Sequence, residues 1–87
     1  MFKREKIYCL KILNTCCNGK LVIYKEIKAN RIFVKCDDCE TTYESIEDAL
    51  HEKNPIKDTF EERDYATLDE IKEMGYEKYV EEIQVII

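Results

Sequence analysis

Apolar and polar positions in the first half of the chain alternate in short runs. In the second half they recur at helical spacing. Residues 6–13, Lys6-Ile7-Tyr8-Cys9-Leu10-Lys11-Ile12-Leu13, are dense in apolar, β-prone side chains. Tyr8, Leu10 and Ile12 alternate with Ile7, Cys9, Lys11 and Leu13. The pattern predicts a strand, with a short amphipathic helix as the alternative. Residues 14–19 read as a turn, since Asn18 and Gly19 both tolerate positive φ. Residues 21–28 form the next predicted strand, 29–31 a reversal, and 32–35 a return strand ending at Cys36. β-branched and aromatic residues dominate both strands, as a half-buried ribbon requires. Thr41, Thr42 and Tyr43 can add one more short strand.

After residue 43 the rhythm changes. Ser45-Ile46-Glu47-Asp48-Ala49-Leu50 opens a helix, with Ser45 placed to cap and Asp48 three residues on. Asn54-Pro55 ends it, because the residue before a proline avoids the α region. Residues 56–66 carry Ile56, Phe60 and Tyr65 among charges and read as a loop with a short turn. Thr67-Leu68-Asp69-Glu70 is a capping box, and Met74-Gly75 stops or bends the helix that follows. Tyr76, Tyr79, Val80 and Ile83 then repeat at 0, 3, 4 and 7, which predicts a second helical stripe. Val85-Ile86-Ile87 is either a final strand or a tail docked on the core.

These elements define an α+β fold in one domain, residues 1–87. A zinc-ribbon-like antiparallel hairpin or small sheet spans 6–43, and a helical part with two or three short helices spans 45–83. Eighty-seven residues support only a small core, and chains of this size often lean on a metal, disulfides or a partner. No apolar run approaches the roughly 20 residues of a membrane helix. No apolar stretch follows the charged N-terminus in the manner of a signal peptide, so the expected location is the cytoplasm. Five cysteines in a reducing compartment suit metal ligands or buried thiols better than disulfides, and their odd number leaves any disulfide framework incomplete.

Cys36-Asp37-Asp38-Cys39 is a C-x-x-C on a tight turn, which aims two thiolates at one metal. A structural zinc needs four ligands. Cys17 fits as the third and Cys16 as the fourth, so the candidate set is Cys16, Cys17, Cys36 and Cys39. Cys9, His51, Asp37 and Asp38 are the alternatives. A standard ribbon carries cysteines at both 14 and 17, whereas this chain has Asn14, so a ribbon without metal is the competing reading. Redox chemistry at the C-x-x-C is disfavoured. Asp37 and Asp38 lie between the thiols and raise their pKa, and the motif follows a hairpin strand instead of opening a helix.

Charge is distributed unevenly. Residues 1–35 hold nine Lys/Arg against two Glu, giving +7; residues 36–87 hold five against seventeen Asp/Glu, giving −12. The basic third, with Tyr8, Tyr24 and Phe33 among its lysines, could neutralise phosphates. The −12 of the remainder argues against nucleic acid, and pairing of the lysines with the acidic helices is the favoured explanation. Asp64, Tyr65, Asp69, Glu73, Tyr76 and Glu77 combine tyrosines with dense carboxylates, which suits a strongly basic protein partner. The competing reading places Tyr76 and Tyr79 in the core stripe.

Enzyme motifs are absent: the chain has one histidine, His51, and no glycine-rich phosphate loop, nucleophile elbow or metal-hydrolase signature. No catalytic residue is therefore assigned. The cysteine clusters, the short capped helix and the run Tyr65-Ala66-Thr67-Leu68-Asp69-Glu70-Ile71-Lys72-Glu73-Met74-Gly75-Tyr76 resemble small standalone zinc-ribbon-like bacterial proteins. Some of these are immunity proteins of polymorphic or contact-dependent growth inhibition toxin systems. The resemblance runs from about residue 14 to residue 83. It implies a non-catalytic cytoplasmic protein that binds and neutralises one cognate toxin, such as a basic nuclease domain. A zinc-ribbon nucleic-acid-binding or transcription-associated module is the alternative.

Overall fold

The computed structural model of the protein describes residues 4–13, 19–60 and 62–86. Four strands come first: β1 (Arg4–Leu13), β2 (Lys20–Glu26), β3 (Arg31–Cys36) and β4 (Thr42–Tyr43). Helix α1 (Ile46–His51), strand β5 (Arg63–Tyr65) and helix α2 (Leu68–Glu73) follow. A single 3₁₀ turn (Glu77–Tyr79) then leads into β6 (Val80–Ile86). All strand pairs are antiparallel, in the order β4-β3-β2-β1-β6, with β5 also paired to β2.

Period-two alternation gives the sheet two buried faces. Tyr8, Leu10, Leu21, Ile23, Val34 and Cys36 point to one face, where Ile46 and Ala49 of α1 and Ile71 of α2 cover them. Ile7, Cys9 and Val22 point to the other and pack with Tyr24, Tyr65 and Ile83. Both helices begin as their sequences require. Ser45 accepts from the Asp48 N–H at 3.1 Å. Thr67 accepts from the Glu70 N–H at 3.2 Å while Glu70 accepts from the Thr67 N–H at 2.9 Å, a complete capping box. α2 stops at Gly75, whose φ of 81° only glycine adopts without penalty. The Tyr76 N–H then reaches back to Ile71 O and the Gly75 N–H to Lys72 O, which satisfies the last carbonyls.

Two expectations are corrected. The stripe Tyr76, Tyr79, Val80 and Ile83 is not a second helix: after one 3₁₀ turn the chain extends into β6 and pairs seven consecutive positions with β1, from Leu10↔Val80 to Arg4↔Ile86. Val80, Ile83, Val85 and Ile86 are all β-prone, and pairing along β1 outweighs the helical spacing. Val80 and Ile83, three apart, consequently face opposite sides of the sheet. The stretch 56–66 is not all loop, because Arg63–Tyr65 forms β5 against the end of β2. The division into a ribbon sheet and a helical part dissolves with these changes, since β5 and β6 belong to the same sheet as β1–β4.

β1 and β5 share one edge of β2. β1 pairs at Cys9↔Val22 and Leu13↔Lys20, and β5 takes over at Tyr24↔Tyr65. Between its two pairing points β1 runs four residues where β2 runs two, a break in register of the bulge type. The sheet forks, with β5 on one prong and the β1–β6 ribbon on the other.

Candidate functional site

The fork holds an open cleft of about 300 Å³, lined by Lys6, Tyr8, Asp64, Tyr65, Ala66, Thr67 and Leu68. Two residues of the expected partner surface, Asp64 and Tyr65, line it. Asp64 is exposed and accepts from the Tyr65 N–H at 2.7 Å. Tyr8 donates its hydroxyl to Glu82 Oε1 at 3.3 Å. Burial raises the Tyr8 pKa first, then the carboxylates of Glu82 and Asp69 raise it further against a smaller opposing effect of Lys72. Asp69 and Glu73 lie exposed on α2. Glu77 is exposed but held by Lys72 at 3.2 Å. Tyr76 is half-buried against the helix-covered core with its ring 6.0 Å from that of Tyr79, so it serves packing as well as surface.

Most of the ribbon's cations are engaged within the chain. Lys25 meets Glu70 at 2.6 Å, Lys35 meets Asp58 at 2.7 Å, Arg31 meets Glu26 at 3.2 Å and Glu44 at 3.5 Å, and Lys20 meets Glu81 at 3.7 Å. Burial pushes the Glu70 carboxyl up, but hydrogen bonds from Lys25 and from the Thr67 N–H and hydroxyl together outweigh it and hold its pKa low. Among the described residues Lys6, Lys11 and Lys28 make no ion pair.

A ladder of four rings on the second face escaped the sequence reading. Phe60, Phe33, Tyr24 and Tyr65 stack in that order, with centroids 4.1, 5.5 and 5.3 Å apart. Two of its steps are direct cross-strand pairs, Tyr24↔Phe33 and Tyr24↔Tyr65. Arg31 lies 4.9 Å over Phe60, and Arg63 lies 5.4 Å over Phe33. Asp58 anchors this face with two bonds from Arg63, at 2.7 and 2.8 Å, besides its bond from Lys35. The Arg63 hydrogen bonds are the chief reason its carboxyl is held far below the usual carboxylate range. The sequence signal was available in Tyr24 and Phe33 on adjacent strands, but Tyr65 and Phe60 join only once β5 is known.

The C-x-x-C divides between core and surface. Cys36 is 1% exposed and packs in the helix-covered core, accepting from the Asp38 N–H at 3.5 Å. Cys39 is exposed, with its sulfur 3.0 Å from Thr41 Oγ1. Cys16 and Cys17 lie outside the described residues. Among those described, no group of three His, Cys, Asp or Glu could hold a metal. Cys9, an alternative ligand, is buried on the second face, 3.8 Å from Glu81 Oε1. Burial and then the Glu81 charge push its thiol up to about 11, which opposes the thiolate a metal needs. His51 is exposed at the end of α1. No helix among the described residues is long and apolar enough to cross a membrane.

No family model, curated protein or solved structure matches the chain.

Proposed function

We propose that this chain is a non-catalytic binding protein for a basic protein partner, met by the carboxylate surface around the forked cleft and α2. The resemblance of its sequence to small zinc-ribbon-like immunity proteins points to a cognate bacterial toxin domain as that partner, neutralised in the cytoplasm by being covered. One observation carries the reading: Lys20, Lys25, Arg31 and Lys35 are occupied by intramolecular carboxylates, whereas Asp64, Asp69 and Glu73 face solvent without an ion pair among the described residues. Four of the nine Lys and Arg of the basic third are thereby paired within the chain, which weakens the case for a nucleic-acid module. The outward excess is negative and sits beside tyrosines that can act as anchors.

The test is co-expression with the product of the adjacent gene, followed by co-purification and measurement of affinity at rising salt. A stable complex with a basic domain, whose association slows as salt increases, is the expected result. Binding to RNA or single-stranded DNA at about 150 mM salt, with no protein partner, would overturn it.

A further inference from the structure

The two edges of the sheet are finished differently. β4 is two residues long, and the chain returns to close it: Thr42 bridges Ile56, whose N–H donates to Thr42 O at 2.8 Å. β6 spans seven residues and pairs with β1 along one side. Among the described residues, no strand pairs with its other side. It carries no proline and no lysine, the residues that commonly blunt an edge, and its only charges are Glu81 and Glu82.

We propose that β6 pairs antiparallel with β6 of a second copy of this chain, about a twofold axis through Ile83. This places Ile83 opposite its symmetry mate, Glu82 opposite Gln84, Glu81 opposite Val85 and Val80 opposite Ile86. All seven positions overlap, and each glutamate meets an uncharged residue. A one-residue slip is barred, because a twofold axis normal to the sheet must bring together residues of the same face. A slip of two residues one way sets Glu82 against Glu82, a like-charge pair directly opposite. The same slip the other way leaves only five of the seven strand positions paired. Ile83 already packs against the Ile7, Cys9 and Val22 cluster, so its position on the axis extends that cluster across the junction.

The proposal is independent of the functional reading and has the opposite salt dependence. Two chains of net charge −5 repel, so self-association strengthens with salt while capture of a basic partner weakens.

Sedimentation equilibrium of the full chain, from about 10 µM to about 1 mM, reads the dimerisation constant directly. Gln84→Lys sets a lysine opposite Glu82 twice per dimer and is expected to tighten association on the order of fivefold; Gln84→Glu is expected to weaken it as much. Thr59→Lys and Thr59→Glu, at an exposed position, supply the same charge changes away from β6. Effects on folding cannot imitate the result. Gln84 lies opposite Lys6 within the chain, so the glutamate variant favours the monomer fold and the lysine variant opposes it. Amide exchange confined to β6 is expected to slow as concentration rises. A parent chain that stays monomeric throughout, or Gln84 variants that shift no more than the Thr59 variants, would overturn the proposal.

Discussion

The two faces of the sheet are held by different physics. The helix-covered face is aliphatic: Leu10, Leu21, Ile23, Val34, Ile46 and Ile71 are all fully buried there. The stabilisation of that aliphatic core comes from removing apolar area from water, which is indifferent to pH, although the Lys25–Glu70 ion pair on the same side is not. On the opposite face aromatic rings are clamped by charge. Arg63 lies over Phe33 and is fixed by Asp58, which also holds Lys35. That face consumes its cations, while α2, on the first face, turns Asp69 and Glu73 outward. A chain of this length thus stabilises one side by burial and neutralises the other, leaving its acidic excess on the side proposed to bind.

The largest effect should come from the aliphatic face. Ile71→Ala removes a fully buried side chain that joins α2 to the sheet and is expected to cost about 2–5 kcal/mol, read by denaturant titration. The cost should be nearly the same at pH 7 and pH 4. A strong pH dependence would break the distinction between the faces.

Next comes Asp58→Asn, expected to cost about 2–3 kcal/mol at neutral pH, since it leaves Arg63 without its carboxylate and Lys35 with only the 3.9 Å contact to Glu40. The folded pKa of Asp58 lies below its unfolded value, so its stabilisation is complete above about pH 5 and fades as pH falls below about 4. Glu70, also held low, acts in the same direction. Parent and Asp58→Asn stabilities should therefore converge towards low pH. Curves that stay parallel down to about pH 2 would remove the charge clamp from the account.

A smaller loss, about 1 kcal/mol, is expected for Thr67→Ala, which deletes the cap of α2. The smallest separates core from metal at the C-x-x-C. Cys39→Ser should stay within about 0.5 kcal/mol, as exposed substitutions do, while Cys36→Ser buries a hydroxyl in the core and costs more. Equal, large losses at both positions, with zinc released on each substitution and detected by mass spectrometry, would instead assign the pair to one metal.

What could be read in the sequence were the features whose cause is local. Ser45 and Thr67 make their own caps, so the helix starts were visible three residues at a time. The hairpin of β2 and β3 showed in two runs of β-branched and aromatic residues around a short reversal. β6 was hidden because Tyr76, Tyr79, Val80 and Ile83 happen to repeat at helical spacing, and only the availability of β1 as a partner decides for a strand. β5 carries one aromatic residue and two charges, too short a pattern to announce itself. Asp64 and Tyr65 were singled out for their chemistry. That they line a cleft follows from β5 taking over the edge of β2 that β1 leaves beyond the Cys9↔Val22 pair, a pairing event with no signature in residue types. The expected pairing of ribbon lysines with the acidic helices holds for Lys25–Glu70, whereas Lys20 meets Glu81 of strand β6 and Lys35 meets Asp58 outside either helix.

The most direct measurement is the affinity of the co-purified partner for two charge-reversed variants of this chain. Asp69→Lys with Glu73→Lys reverses the outward face of α2, and Lys11→Glu with Lys28→Glu reverses two ribbon lysines that make no ion pair among the described residues. Each set should leave the fold within about 1 kcal/mol of the parent. The α2 reversal is expected to weaken binding by at least about 2 kcal/mol and to flatten its salt dependence, while the ribbon reversal leaves affinity unchanged or slightly improved. Loss of binding on reversing Lys11 and Lys28, with the α2 variant behaving as the parent, would contradict the account and place the interface on the basic side.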